Sequence, residues 1–324
     1  MQHPIGRRAL GGFAATGLLA SRAGAQEAWP ARPIRLVVAF TAGSEPDILA
    51  RALAPVLQAQ LGQPVVVDNR IGAASVVAAE HVSQQKPDGY TLLLTSSSTF
   101  CVTPHLFANL PFRVEQFQPL TLLMRGQLAL FCDPKLPVRT VGELVAYARA
   151  LPQPMPYAAN VGLVAHLSGE RLKQATGIEL LDVSYRGTPA AQQMMMRGDV
   201  AMTFDGVASY VGLVRNGDIR ALAVTGDHRI AALPDVPTFA EAGFPDIAQP
   251  YWYGLFAPAG VPDPAVRKVV AATHVALSEA RLGDQMVAQG AELRGNQPAE
   301  FSAMVAAERG RWGELIRSIG LRLG

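Results

Sequence analysis

Four short polar segments carry side chains suited to holding a small polar solute. The first is Phe40-Thr41-Ala42-Gly43-Ser44-Glu45-Pro46-Asp47. Gly43 lets the backbone approach a ligand closely. Thr41 and Ser44 offer hydroxyls, and Asp47 either caps a following helix or reaches the ligand. The second, Ser96-Ser97-Ser98-Thr99, is a run of hydroxyls that can donate to a carboxylate or cap a helix. The third, Ala159-Asn160-Val161-Gly162-Leu163-Val164-Ala165-His166, joins an amide, a glycine and a histidine at a helix start, where packing or capping competes with ligand contact. The fourth is Tyr185-Arg186-Gly187-Thr188-Pro189, with Arg186 expected to face solvent or to pair with a carboxylate outside the site. Asp205 belongs either to a turn or to the site. The expected contacts are Phe40, Thr41, Gly43, Ser44, Asp47, Ser96, Ser97, Ser98, Ala159, Asn160, Val161, Gly162, His166, Gly187, Thr188 and Asp205.

Catalytic chemistry has weaker support. Ser96 or Ser98 with His166 and Asp205 supplies the residue types of a nucleophilic triad, yet no G-x-S-x-G elbow frames either serine. The sequence contains no H-E-x-x-H, no metal-spaced Cys/His cluster, no P-loop and no Rossmann glycine fingerprint. Cys101 and Cys132 are the only cysteines, and either a disulfide or two buried thiols fits them.

The polar segments sit at the ends of predicted elements. Ile34–Phe40 reads as a buried strand, and Asp47–Leu61 as a helix with Ile48, Leu49, Ala52, Leu53, Val56 and Leu57 on one face. Gly62 closes that helix, and Pro55 is expected to kink it. Val65–Val67 and Tyr90–Thr95 read as strands around a helix over Ala74–Gln84. The pattern then repeats. Thr140 and Glu143 form a capping box, Pro156–Ala159 is a strand, and a helix over Val164–Thr176 ends at Gly177. Leu181–Tyr185, Val200–Phe204 and Ala221–Val224 are strands, with Thr188 and Pro189 at the N-cap and first position of an intervening helix. Residues 227–250 have no clear period. Tyr251–Ala257 is a further strand, and helical patterns follow near 263–280, 280–289 and 298–319. Alternating strands and helices imply an α/β protein with largely parallel sheets. In such sheets ligands bind beyond the carboxyl ends of strands, where helix N-termini offer free N–H groups.

Composition fits this picture. Of 324 residues 49% are hydrophobic and 17% charged, which suits a packed core. A net charge of +2 gives nucleic-acid binding no electrostatic support. Arg7 and Arg8, an apolar stretch over Leu10–Ala20 and the Ala23-Gly24-Ala25 cleavage motif read as a cleaved export signal over 1–25. The paired arginines fit the twin-arginine route as well as the general secretory one. Removing the signal takes three arginines, so 28 basic residues become 25 against 26 acidic ones, a net charge of −1. No later stretch reaches the roughly 18 apolar residues of a membrane span.

Several motifs in one order resemble a known family. Pro33-Ile34-Arg35-Leu36-Val37-Val38 leads into Asp47-Ile48-Leu49-Ala50-Arg51, then Leu61-Gly62-Gln63-Pro64-Val65-Val66-Val67-Asp68-Asn69-Arg70. Pro87-Asp88-Gly89-Tyr90-Thr91-Leu92-Leu93, Ala221-Leu222-Ala223-Val224-Thr225, Leu233-Pro234-Asp235-Val236-Pro237-Thr238 and Ala257-Pro258-Ala259-Gly260 follow. From about residue 30 to the C-terminus the chain resembles the Bug-type, TctC-like receptors of tripartite tricarboxylate transporters. The resemblance implies a two-lobed type II periplasmic-binding fold with the ligand cleft between lobes. It implies lobe one over 30–122 plus 248–324 and lobe two over 123–247. It further implies a periplasmic receptor that captures a small organic acid for membrane subunits of a tripartite transporter, with no cofactor, no metal and no catalysis. A sensor that reports to a membrane kinase is the alternative.

Two departures bear on the ligand. Receptors of this family usually carry a Pro-Pro-Gly-Gly type first loop, replaced here by Thr41-Ala42-Gly43-Ser44, and a serine- and glycine-rich third loop, replaced by Ala159-Asn160-Val161. Glu45 also adds a negative charge beside an anion site. Either it points outward or the pocket takes a less anionic or partly cationic ligand; a monocarboxylate, an amide or an aromatic acid is expected over a simple dicarboxylate.

Overall fold

The computed structural model describes residues 29–185, 187–247, 250–287 and 290–323. The expected export signal and Arg186 lie outside the described residues. The chain lays down β1 (Ile34–Val38), α1 (Glu45–Leu61), β2 (Val65–Asn69), α2 (Val76–Ser83), β3 (Thr91–Ser96), α3 (Thr103–Leu106) and β4 (Phe117–Gly126). It continues with β5 (Leu128–Cys132), α4 (Val141–Ala150), β6 (Met155–Ala159), α5 (Val164–Thr176), β7 (Leu180–Ser184), α6 (Thr188–Arg197), β8 (Met202–Gly206), α7 (Val211–Asn216) and β9 (Arg220–Val224). The last part holds β10 (Tyr251–Pro258), α8 (Asp263–Leu277), α9 (Ala280–Val287), β11 (Ala291–Leu293) and α10 (Pro298–Ile319).

The strands form two sheets, one in each of two lobes. The first has the order β11-β4-β10-β3-β1-β2 and the second β7-β6-β8-β5-β9. The sheets are mixed, where the alternation of strands and helices led to the expectation of largely parallel ones. β1 pairs parallel with β2 and β3, and β6 with β7 and β8. β10 runs antiparallel to β3 and β4, and β5 antiparallel to β8 and β9. Between β4 and β10 the reason is connectivity: β4 leaves the first sheet at Gly126 and β10 re-enters it opposite, at Tyr251, so the two run antiparallel.

The central strands are buried on both faces, as in other helix-covered sheets. In β1 only Arg35 is exposed, and all eight residues of β10 are buried. In α1 Leu49, Leu53 and Leu57 recur every fourth residue and face the core, where α1 packs on α8. The helix runs on through Pro55, whose ring is exposed, and ends at Gly62 (φ 71°), whose N–H bonds Gln58 O at 2.9 Å. Phe100 packs in the first lobe's core with its ring tilted against two others, centroids 4.5 Å from Phe256 and 4.8 Å from Phe117. Cys101 and Cys132 are free thiols, both buried, and burial pushes Cys132 up to about 12. No helix among the described residues is long and apolar enough to cross a membrane.

Candidate ligand-binding site

The ends of both sheets face a cavity of about 100 Å³. A shallower recess of about 400 Å³ adjoins it, sharing Phe40, Thr41, Asn160, Leu163 and Gly187. From the first lobe Phe40, Thr41, Ser44, Glu45, Ser96, Ser98, Tyr251 and Tyr253 line the cavity. From the second come Asn160, Leu163 to Ala165, Gly187, Thr188, Asp205 and Gly206.

The loop after β1 is braced from below. Gly43 turns the chain at φ 81°, where a side chain would strain the backbone. The carboxylate of Asp47 accepts the Gly43 N–H at 2.8 Å, Asn69 Nδ2 at 2.9 Å and Arg51 Nε at 2.9 Å. Burial alone would raise Asp47, but these donors outweigh it and hold its carboxyl below the usual range. Ser44 caps α1 in extended geometry and donates its hydroxyl to Thr41 O at 2.6 Å. These bonds tie the loop to α1 and to the end of β2, and Asp47 is its brace.

Glu45, the first residue of α1, points into the cavity and is buried. The hydroxyl of Tyr251 donates to its Oε2, whereas its Oε1 is buried without a partner. Burial raises Glu45 to about 7; the Tyr251 hydrogen bond opposes the rise and the nearby Asp205 carboxyl adds to it. Asp205, across the cleft on β8, accepts the Gly206 N–H at 2.8 Å, the Tyr210 hydroxyl at 3.2 Å and the Tyr185 hydroxyl at 3.5 Å. Desolvation outweighs these donors and pushes Asp205 up to about 6. A Cβ placed on Gly206 would lie 3.1 Å from the Tyr251 hydroxyl and 3.6 Å from Glu45 Oε2, so the two lobes nearly touch here. Tyr251 and Tyr253 meet edge to face with centroids 5.4 Å apart, and Phe40 lies edge-on to Tyr253 at 5.6 Å.

Opposite in sign to the two carboxyls are helix ends. The N-termini of α1, α5 and α6 all lie at the cavity wall. Their free N–H groups and positive dipole ends suit a carboxylate. None of the described residues that line the cavity is Lys, Arg or His. At α5 the Val164 N–H is held by Ser98 Oγ at 3.0 Å, a bond between lobes. Ser96 Oγ, also at the cavity, is buried with no partner.

Of the expected contacts, Phe40, Thr41, Ser44, Ser96, Ser98, Asn160, Gly187, Thr188 and Asp205 line this cavity. Val161 lines the adjoining recess, and Gly43 borders a shallow groove beside α1. Asp205 lies on β8 itself, and Gly187 takes the N-cap position expected of Thr188. Five expected contacts lie elsewhere. Asp47 is turned under its loop. Ser97 and Ala159 are fully buried, and Gly162 packs toward Ala74 and Leu323. His166 is turned to Asp182, with Nε2 3.2 Å from Oδ2, so it does not stand beside Ser96 or Ser98 as a triad requires. His166, Glu170 and Asp182 place one ligand atom each within 4.8 Å and could hold a metal ion, although Lys173 Nζ already pairs with Glu170 at 2.8 Å. Sequence reasoning missed Tyr251 and Tyr253. Their spacing of two on a predicted strand puts both on one face, and that was the available signal.

Known proteins resemble this chain over most of its length. Residues 49–321 match the model of the tripartite tricarboxylate transporter family receptor. The chain is 34% identical to the protein BugT of Bordetella pertussis over 97% of each chain. A Rhodopseudomonas palustris protein solved with adipate is 32% identical with a TM-score of 0.85, covering 91% of this chain and 99% of that one. MatC from the same organism, solved with bound malate, is 29% identical with a TM-score of 0.83, over 89% and 100%.

Proposed function

This chain belongs to the receptor family of tripartite tricarboxylate transporters, and we propose that it captures a small organic acid in the periplasm and delivers it to the membrane subunits of such a transporter. It is a solute-binding receptor. The observation that carries the ligand class is the convergence of three helix N-termini and the Ser96 and Ser98 hydroxyls on one cavity between the sheets. Those donors suit a carboxylate without any basic side chain. The adipate and malate held by two relatives support the same class. The cavity of about 100 Å³ favours a compact acid. The two lobes are assigned to residues 30–126 plus 250–324 and 127–247. The pairing of β4 in the first sheet to Gly126 and of β5 in the second from Leu128 supports this assignment. Export is supported by the signal motif over 1–25.

The test is a thermal-shift screen of ligand-stripped mature protein against mono- and dicarboxylates. A ligand at about 100 times its Kd stabilises the fold by roughly 2.7 kcal/mol. A clear shift with at least one acid is expected. A flat response to every carboxylic acid, alongside shifts with neutral solutes, would overturn the acid assignment.

A further inference from the structure

Resting on that reading, we infer that the acid this receptor takes also carries a protonated amino group, seated between Glu45 and Asp205, while its carboxylate meets the helix N-termini. The cavity has two electrostatic ends. Glu45 and Asp205 approach it from opposite lobes, and no described lining residue is basic. Glu45 Oε1 is buried with no hydrogen-bond donor. An unpartnered buried carboxylate is costly, and a group bringing N–H donors and a positive charge removes that cost. A second plain carboxylate placed there would instead add repulsion. The rings of Tyr251, Tyr253 and Phe40 beside Glu45 also suit a cation. The donors already present do not neutralise the pair. Tyr251 from β10 and Tyr185 and Tyr210 around Asp205 give hydroxyl hydrogens but no charge, since burial raises all three phenols well above their usual range. Glu45 takes no part in bracing the turn, which is held by Asp47 and by the Ser44 hydroxyl.

This assignment fixes the sign of the pH response. An ammonium needs Glu45 and Asp205 ionised, so its affinity falls as pH drops through the window of about 7 to about 6. A plain carboxylate gains affinity over the same window, because protonation removes repulsion. The groups that face Glu45 are Asp205 from β8 and Tyr251 and Tyr253 from β10, and only the two carboxyls titrate in this range.

The experiment is calorimetric titration of the mature, refolded protein with matched pairs: 4-aminobutanoate and butanoate, alanine and propanoate, glutamate and glutarate. In at least one pair the amino acid is expected to bind about tenfold more tightly or better at pH 8. Its affinity should fall as the pH is lowered to 5.5, and Glu45→Gln should abolish the preference. The pH slope of the unaltered protein tests the same point without a variant. If malate, adipate or glutarate binds more tightly than every amino acid, with affinity rising at acid pH, the inference is overturned and the acid receptor stands. If a diamine outbinds every acid, the ammonium seat stands and the acid reading fails. If no acid of either kind binds, both fall.

Discussion

The hydroxyl oxygen of Ser98 accepts the backbone N–H of Val164 at 3.0 Å, joining the segment after β3 to the first residue of α5 in the other lobe. Without ligand this bond occupies one of the donors that a carboxylate would use. Ser98→Ala should shift the ligand-free protein toward an open arrangement by about 1 kcal/mol, roughly a fivefold change in the balance. Small-angle scattering reads this as a larger radius of gyration without ligand and an unchanged one with ligand. An unchanged radius in both states would show that the bond does not hold the lobes together.

Gly126 lies under the ring of Tyr251, where an added Cβ would sit 2.4 Å from Cζ and from the hydroxyl oxygen. Gly126→Ala must therefore push Tyr251 away from Glu45. We expect a loss of about 1–3 kcal/mol in stability from overpacking and at least about a tenfold loss in affinity. Denaturant unfolding and calorimetry measure the two separately. Retained affinity with reduced stability would mean that Tyr251 does not shape the site.

Glu45 and Asp205 make the ligand-free protein less stable at high pH. Both have folded values raised above their ordinary ones, Glu45 from 4.5 to about 7 and Asp205 from 3.8 to about 6. The folded state therefore holds more protons than the unfolded chain across this range. The stability they contribute is fully present below the unfolded values and is lost as pH rises through about 6 to 7. The Tm should fall between pH 5 and pH 8. Glu45→Gln should flatten that fall and add on the order of 1–3 kcal/mol at pH 8. A Tm in the variant that falls as steeply as in the parent would contradict this.

Asp47 acts with the opposite sign. Its folded value is lowered, so its contribution is present above the unfolded value of 3.8 and lost as pH falls through the folded one. Asp47→Ala leaves the Gly43 N–H and Asn69 without their acceptor and should cost about 2–3 kcal/mol. Denaturant titration at neutral pH measures the cost, and a variant within about 0.5 kcal/mol of the parent would remove Asp47 as the loop's brace.

The sheets and most helices were legible because their apolar periods are strong. Leu49, Leu53 and Leu57 announce α1, and Gly62, Gly177 and Thr140 mark helix ends where the structure has them. β4 and β5 were not legible. Phe117–Cys132 is mostly apolar, interrupted at Gln118, Thr121 and Arg125-Gly126-Gln127, and buried strands on both sides of a crossing leave no alternation to read. The candidate site was legible where it follows strand ends, as at Phe40, Ser96 and Asn160. It was illegible where side-chain direction decides. Ala165 and His166 are neighbours on α5, yet only Ala165 meets the cavity, because successive helix positions turn by about 100°. Tyr251 escaped notice because β10 runs antiparallel and its first residues, not its last, reach the cleft.

Gly126 and Tyr251 are also direct register partners across β4 and β10. The chain leaves the first sheet and re-enters it through one doorway, and everything from Gln127 to Pro250 is a single excursion whose two ends meet on adjacent strands. Such an excursion is a cassette. Joining Gly126 to Tyr251 by a two-residue type I′ turn would turn β4 and β10 into an ordinary hairpin and leave the remaining strands of the first sheet paired as they are. The same doorway is a natural place to graft the second lobe of a relative, so the half of the pocket that carries Asp205 can be exchanged while the half that carries Glu45 stays fixed.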